Sequence, residues 1–166
     1  MASKDSSFDV VSEVDMQEVD NAYQQTTKEL VQRYDLKDSH ATIELDKAKG
    51  VVTVQAPSEF VASQVIDVFQ TRLVRRKVDL SSVSFADPQP ASAGTVRVIG
   101  TVVQGIEQEL AKKISKDVRD AKFKVKVTVE GDKLKVSSPS KDALQAVIAF
   151  LREQDYGQPL QFTNYR

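Results

Sequence analysis

VVTVQAPSEFVASQVIDVF, residues 51 to 69, is the stretch that decides the fold, because it occurs a second time as LKVSSPSKDALQAVIAFL at residues 134 to 151. A constant offset of 82 residues aligns Pro57 with Pro139, Ser58 with Ser140 and Val65 with Val147. Each copy has the pattern of a strand, a Pro-Ser turn and an amphipathic helix. Self-similarity at a fixed offset indicates that one structural unit is used twice. The chain is therefore predicted to contain two versions of one small domain.

The composition excludes several classes of function. The 166 residues include no cysteine and one histidine, which leaves no disulfide, no thiol nucleophile and only carboxylates as metal ligands. No apolar run approaches the 18 residues of a membrane span, and MASKDSSFDV at the N-terminus has no signal-peptide core. We therefore expect a cytoplasmic protein without a membrane partner, a metal site or a cofactor.

Hydrophobic periodicity predicts the same order of elements in both halves. In the first half, apolar alternation predicts strands at 8–13, 41–46, 51–55 and 80–85, and helical spacing predicts helices at 15–34 and 58–77. ADPQPASAG, residues 86–94, has no apolar periodicity and is predicted to be a linker. In the second half the predicted strands are 95–103, 124–130, 133–137 and 160–165, with helices from 106 and from 140.

This element order is typical of an α+β protein made of tandem ferredoxin-like, RNA-recognition-like domains. Each domain would have a four-stranded antiparallel sheet with two helices on one face, which leaves the other face open. Alternation places Lys124, Lys126, Lys133 and Lys135 on the open face of the second sheet. The equivalent positions of the first sheet include Glu44 and Asp46. One open face is therefore predicted to be basic and the other neutral to acidic.

The four lysines are candidates for binding phosphate groups, although a solvated charged face is the alternative. Gln104, Lys112 and Lys113 at the start of a helix are candidates for a second anion site. Neither inner strand, KLKVSS or VVTVQA, carries the aromatic residues on which RNA-recognition modules stack bases. His40 has no catalytic partner in the sequence, and Glu44 with Asp46 is better explained as surface charge than as a cation site. We therefore predict a protein that is not an enzyme.

Three segments resemble the bacterial YajQ-like family of nucleotide-binding proteins. They are FDVVSEVD at 8–15, QGIEQELAKKISKDVRDAKFKVKVTVEGDKLKVSSPSKDALQAVI at 104–148, and GQPLQFTNYR at 157–166. The resemblance implies that the two leading strands are exchanged. Residues 8–13 with 105–166 would then form one ferredoxin-like domain, and 14–104 the other, with helix 15–34, linker 86–94 and strand 95–103.

The resemblance also implies binding of a nucleotide, with cyclic di-GMP, another cyclic dinucleotide, RNA and DNA as alternatives, on the second domain and in the groove between domains. Ser12 and Glu13, which end the exchanged strand, are then candidates for polar contacts to a base or ribose. Phe162 and Tyr165 are predicted on opposite faces of the last strand, so that one of them is available for stacking on a base. The competing hypothesis is an adaptor that docks a transcription factor or another regulatory protein through its charged sheet faces.

Overall fold

The computed structural model describes residues 5–166, and in that range it is an α+β protein with two antiparallel sheets and four α-helices. The strands and helices follow in the order β1 (Ser6–Val11), α1 (Met16–Gln32), β2 (Thr42–Asp46), β3 (Val51–Ala56), α2 (Glu59–Arg75), β4 (Val83–Phe85), β5 (Gln89–Pro90), β6 (Val96–Val102), α3 (Gln108–Asp120), β7 (Lys126–Glu130), β8 (Lys133–Ser138), α4 (Lys141–Glu153) and β9 (Gln161–Thr163). Short 3₁₀ turns occur at Leu80–Ser82 and Ser92–Gly94. Within the described range, no helix is long and apolar enough to cross a membrane.

The chain divides into two compact units. One, which we call the middle unit, is the continuous segment Val14–Val103. The other, which we call the flanking unit, combines residues through Glu13 with Gln104–Arg166. The flanking unit is therefore built from two segments that are far apart in the sequence.

The middle unit has the strand order β2-β3-β6-β4, and β5 pairs with β6. Alternate residues of these strands face α1 and α2, as the period of two requires. The resulting core contains, among others, Val19, Ala22, Ile43, Val52, Val54, Val65, Phe69, Leu73, Val98 and Val102. The opposite sheet face carries Glu44 and Asp46, both exposed as predicted from alternation.

The flanking unit has the strand order β7-β8-β1-β9, so β1 lies inside the sheet between β8 and β9. Phe8 and Val10 on β1 have no exposed surface and face the helices. Their partners in the core are Ile106, Ala111, Ile114, Val118, Leu134, Val136, Leu144, Val147, Ile148 and Leu151. This core cannot close without β1, which comes from the N-terminal segment.

The repeated Pro-Ser turn has the same structure in both units. The Oγ atom of Ser58 accepts a hydrogen bond from the Val61 N–H at 3.2 Å, and that of Ser140 accepts one from the Ala143 N–H at 3.2 Å. Each serine is the N-cap of the following helix, α2 or α4, and satisfies one of the amide groups that a helix start leaves unpaired. The strand, turn and helix predicted for both copies are present.

The predicted linker 86–94 is partly wrong, because its residues add a strand to the middle sheet. Within it, β5 pairs with β6 in the register Gln89↔Arg97 and Pro90↔Val96. Proline lacks an N–H donor but is accepted in a strand that has only one neighbour, as β5 does. The middle unit therefore has a five-stranded sheet where four strands were predicted.

Several element boundaries also differ from the prediction, among them the predicted strands 80–85, 124–130 and 160–165, which are observed as Val83–Phe85, Lys126–Glu130 and Gln161–Thr163. Two further differences have a clear structural cause. Helix α1 ends at Gln32 instead of residue 34, because the chain turns back there and buries Leu36, which is 3% exposed, in the core. The first strand covers Ser6–Val11 instead of 8–13, since Ser6 and Ser7 pair with Ser138 and Ser137 of β8. Ser12 and Glu13 follow the strand.

Candidate functional site

Three lysines lie on the open face of the flanking sheet, Lys126 on β7 with Lys133 and Lys135 on β8, and Lys124 lies two residues before β7. We call these four residues, Lys124, Lys126, Lys133 and Lys135, the lysine surface. The register places the three strand lysines in cross-strand rows: Lys126↔Ser137↔Ser7, Thr128↔Lys135↔Asp9↔Thr163, and Glu130↔Lys133. Lys124 and Lys126 are exposed, while Lys133 and Lys135 are half-buried. Leu134 and Val136, which alternate with Lys133 and Lys135 along β8, are buried on the other face. Alternation along β7 and β8 therefore places Lys126, Lys133 and Lys135 on one side of the sheet.

Asp9, which sequence reasoning missed, lies in the middle of this surface. Its Oδ2 atom accepts hydrogen bonds from the Asn164 amide at 2.8 Å and from the Lys133 ammonium at 3.3 Å. Burial by itself would raise the pKa of the Asp9 carboxyl group. The hydrogen bonds from Asn164 and Lys133, with the positive charges of Lys133 and Arg166, outweigh that effect and lower the pKa. Asp9 is thus an anion held at the centre of a basic surface.

Only one of the four lysines forms an ion pair among residues 5–166. Lys133 pairs with Asp9, and Glu130 on β7 lies directly opposite Lys133. Lys124, Lys126 and Lys135 have no ion-pair partner among residues 5–166. A phosphate group that binds here would meet these three cations first, because the charge of Lys133 is already balanced by Asp9.

The second predicted anion site is surrounded by acidic groups. Helix α3 begins with Glu107 as N-cap, whose side chain makes no capping hydrogen bond, and Glu109 lies in the first turn. The ammonium of Lys113 lies 5.9 Å from the centre of the Tyr156 ring, and Lys112 is exposed. The Asp132 carboxylate packs against Gly105, the neighbour of Gln104. The acidic residues at the start of α3 and the nearby Asp132 carboxylate offset the positive end of the helix dipole, which disfavours a bound anion.

Tyr156 also has a structural role in this region. Its hydroxyl donates a hydrogen bond to the Asp117 carboxylate at 2.9 Å. Burial, that hydrogen bond and the negative charge of Asp117 raise the pKa of the tyrosine above its usual value. Tyr156 consequently stays protonated and links α3 to the chain after α4, with Lys113 over its ring.

Ser12 and Glu13 differ in accessibility. Ser12 is 1% exposed, so its hydroxyl does not reach solvent in this structure, and the polar contact expected for it stays a prediction. Glu13 is exposed, and its backbone N–H and C=O bond the side-chain amide of Gln161 at 2.8 and 3.2 Å. Only the Glu13 carboxylate remains as a candidate polar contact.

Phe162 and Tyr165 do not lie on opposite faces as predicted. Their rings lie 5.9 and 6.2 Å from the ring of Phe8, so both are on the side of the sheet that the helices cover. Strand alternation fails because Asn164 between them has a φ of 58°, which turns the chain after β9. Phe162 packs in the core and under the guanidinium of Arg152, while Tyr165 is 59% exposed.

Tyr165 borders a groove of about 270 Å³ on this covered side. Phe8, Leu144 and Ile148 form its apolar lining, and Lys141 and Gln145 are its polar side chains on α4. The groove and the lysine surface are on opposite faces of the sheet. A single small ligand therefore cannot stack on Tyr165 and contact Lys135 at the same time.

The remaining chemical candidates are surface groups. His40 is exposed in a turn with a φ of 60°, and Glu44 and Asp46 are exposed on β2. Throughout the described part of the chain, no group of three or more His, Cys, Asp or Glu side chains is placed to hold a metal ion.

Comparison with known proteins gives one consistent result. A family model described as "Nucleotide-binding protein YajQ-like" matches residues 6–166. A nucleotide-binding protein of Magnetococcus marinus is 47% identical over 160 residues, which is 96% of this chain and 98% of that protein. Another, of Desulfitobacterium hafniense, is 45% identical over 164 residues, or 99% of both chains. The family resemblance found in the sequence is thereby confirmed, and this chain belongs to the YajQ-like family.

Proposed function

We propose that this protein binds a nucleotide, without catalysing a reaction, through the phosphate groups of the ligand and the lysine surface of the flanking unit. The observation that carries the proposal is the set of three cations, Lys124, Lys126 and Lys135, that lack ion-pair partners within the described residues. The relatives from Magnetococcus marinus and Desulfitobacterium hafniense are both named nucleotide-binding proteins, which supports the proposal.

The arrangement favours a ligand with more than one phosphate. Lys126 and Lys135 lie in adjacent rows of two neighbouring strands, so they offer two separate positive positions rather than one cradle. A cyclic dinucleotide such as cyclic di-GMP, or the backbone of RNA or DNA, presents phosphates at such separations. Asp9 adds selectivity, because its carboxylate repels a phosphate that moves toward the centre of the sheet.

A titration at two salt concentrations tests this proposal. Nucleoside monophosphates and triphosphates, cyclic di-GMP and a short single-stranded RNA are the probes, and calorimetry or fluorescence anisotropy reports binding. If three lysines contact phosphates of RNA, raising the salt concentration from roughly 50 to 200 mM should weaken binding about tenfold or more. Replacing Lys124, Lys126, Lys133 and Lys135 together with Gln should abolish most of the affinity.

The matched control changes the same number of charges elsewhere. Lys28, Lys37, Lys49 and Lys77 are all exposed in the middle unit, and their replacement with Gln should leave affinity unchanged. Absence of binding by every probe at low salt would refute the proposed function. Equal losses in the two quadruple variants would show that only net charge, and not this surface, matters.

One observation favours the alternative, a protein adaptor. No aromatic ring on which a base could stack is present at the paired open-face positions of the flanking sheet. These positions include Ser7, Asp9, Thr128, Lys135 and Thr163. A docking surface for a regulatory protein would need only the alternating lysines and carboxylates. An adaptor would bind none of the nucleotide probes but would retain a protein partner that the same lysine variant loses.

We further propose that the two units are ferredoxin-like domains with exchanged leading strands, covering 14–104 and 8–13 plus 105–166. Two pairings support this. The leading strand β1 pairs with β8 and β9, and β6 pairs with β3 and β4. β1 therefore precedes the elements of the middle sheet in the sequence but joins the flanking sheet. β6 precedes most elements of the flanking sheet but joins the middle sheet.

A further inference from the structure

The outer strand of the flanking sheet has one edge that no strand among residues 5–166 covers. In the order β7-β8-β1-β9, β7 has one neighbour, so alternate residues between Lys126 and Glu130 direct their backbone N–H and C=O groups to this uncovered side. β9, at the opposite edge, is only three residues long. A five-residue edge without a bulge or proline is a template for another strand.

The sequence along this edge is complementary to itself in the antiparallel direction. A two-fold axis through Thr128 places Lys126 opposite Glu130 of a second copy, and Glu130 opposite Lys126. Lys126 and Glu130 share the open face of the sheet with Thr128, since these residues alternate along the strand. Two such strands would therefore form two cross-strand pairs of opposite charge, each favourable at directly opposed positions.

The other side of the strand is apolar. Val127 and Val129 alternate with the charged residues, and the same two-fold axis places each valine opposite the other of the second copy. Val129 is 44% exposed and Val127 is half-buried. Pairing would cover this valine surface and extend the sheet of each copy.

The long edge strand of the middle unit lacks this property. In β2, the sequence TIELD places Glu44 at the centre, so antiparallel self-pairing would oppose two carboxylates. Directly opposed like charges destabilise a strand pair. This contrast shows that self-complementarity is a feature of β7 and not of every exposed strand in the protein.

We propose that the protein forms a two-fold symmetric dimer in which β7 pairs antiparallel with β7 of a second copy, centred on Thr128. The proposal goes beyond nucleotide binding and does not rest on it. Lys126 would be neutralised by Glu130 of the second copy, so dimerisation would remove one of the three cations available to a phosphate group.

Charge reversal provides the first test, with light scattering or sedimentation over a concentration series reporting mass. K126E places its new carboxylate opposite that of Glu130 in the second copy, and E130K places its new ammonium group opposite that of Lys126. Each single variant should therefore raise the dimer dissociation constant about tenfold or more. An equimolar mixture of the two variants restores opposite charges at every position and should recover the dimer. A wild-type protein that stays monomeric up to about 1 mM, the range of weak interfaces, would overturn the proposal.

A cysteine substitution provides the second test, because the natural chain has no cysteine. T128C places the two sulfur atoms opposite each other across the axis, where antiparallel Cα–Cα distances of about 4.5 to 5.5 Å suit a disulfide. Mild oxidation should cross-link T128C and leave the matched edge variant T42C on β2 monomeric. Cross-linking of both variants to the same extent, or a dimer whose T128C form does not cross-link, would refute this interface.

Discussion

At the scale of single residues, Asp9 makes the flanking unit sensitive to acid. Its folded pKa is lowered below the unfolded value of about 3.9, so the folded state favours the ionised carboxylate. The stability that this group contributes is therefore complete above about pH 5 and is lost as the pH falls through the folded pKa. Asp9→Asn should lower the free energy of unfolding by about 1–3 kcal/mol at pH 7. Denaturant unfolding of both proteins as a function of pH measures this difference.

The difference between wild type and Asp9→Asn should shrink below about pH 4, where the wild-type carboxyl group also becomes neutral. Asp38→Asn, at an exposed position of the middle unit, is the control and should change the free energy of unfolding at pH 7 by less than about 0.5 kcal/mol. A difference for Asp9→Asn that does not vary with pH would indicate altered packing rather than loss of the charge.

Two buried serines make opposite contributions. Both are 1% exposed, but the hydroxyl of Ser138 donates to the Lys124 carbonyl and accepts from the Ser140 N–H, each at 3.0 Å. The hydroxyl of Ser12 has no hydrogen-bond partner within the described residues. Because a buried polar group without a partner is costly, Ser12→Ala should leave stability unchanged or raise it by about 1 kcal/mol. Ser138→Ala should lower it by about 1–3 kcal/mol, since it leaves a carbonyl and an amide unpaired. Equal effects of the two substitutions in thermal unfolding would contradict this account.

At the scale of elements, β6 depends on a glycine for space. A Cβ atom at Gly100 would lie 2.7 Å from Cε1 and 2.8 Å from Cδ1 of Phe85, whose ring packs edge-on against the buried Phe69. Gly100→Ala should therefore destabilise the protein by about 1–3 kcal/mol through overpacking. The same substitution in a Phe85→Leu background should cost less, because the smaller side chain vacates the contact. Thermal unfolding of the four proteins measures this coupling, and strictly additive effects would rule it out.

Elements with a periodic pattern could be predicted from the sequence, and those determined by distant partners could not. The Pro-Ser turns and their helices are local, so Ser58 and Ser140 identified the caps directly. Alternation placed Lys133 and Lys135 correctly, because Leu134 and Val136 between and beyond them are buried. It failed at Tyr165, where the positive φ of Asn164 is a backbone feature that period-two reasoning does not include. Asp9 was missed because its role depends on Lys133, which is 124 residues away.

At the scale of the whole molecule, chain connectivity is the property that the repeat concealed. Two similar copies in tandem suggest two independent segments, whereas the flanking unit takes its inner strand from residues before Val14. Composition and periodicity contain no information on which sheet a strand joins, because β1 and β6 have the same apolar, β-branched character. Only the family resemblance implied the exchange.

This connectivity predicts which fragments fold. The middle unit, Val14–Val103, contains all strands of its sheet and should fold alone. Gln104–Arg166 lacks β1, so β8 and β9 have no strand between them and the fragment should be unfolded.

The carbonyl of Ser12 accepts a hydrogen bond from the Gly105 N–H at 2.6 Å, so Glu13 can be joined to Gln104 through a linker of about three glycines. That joined fragment should regain a cooperative thermal transition in circular dichroism, because β1 is again available to complete the core around Phe8. A cooperative transition in Gln104–Arg166 alone would show that β1 is dispensable, and its absence from the joined fragment would show that the flanking unit requires the middle unit to fold.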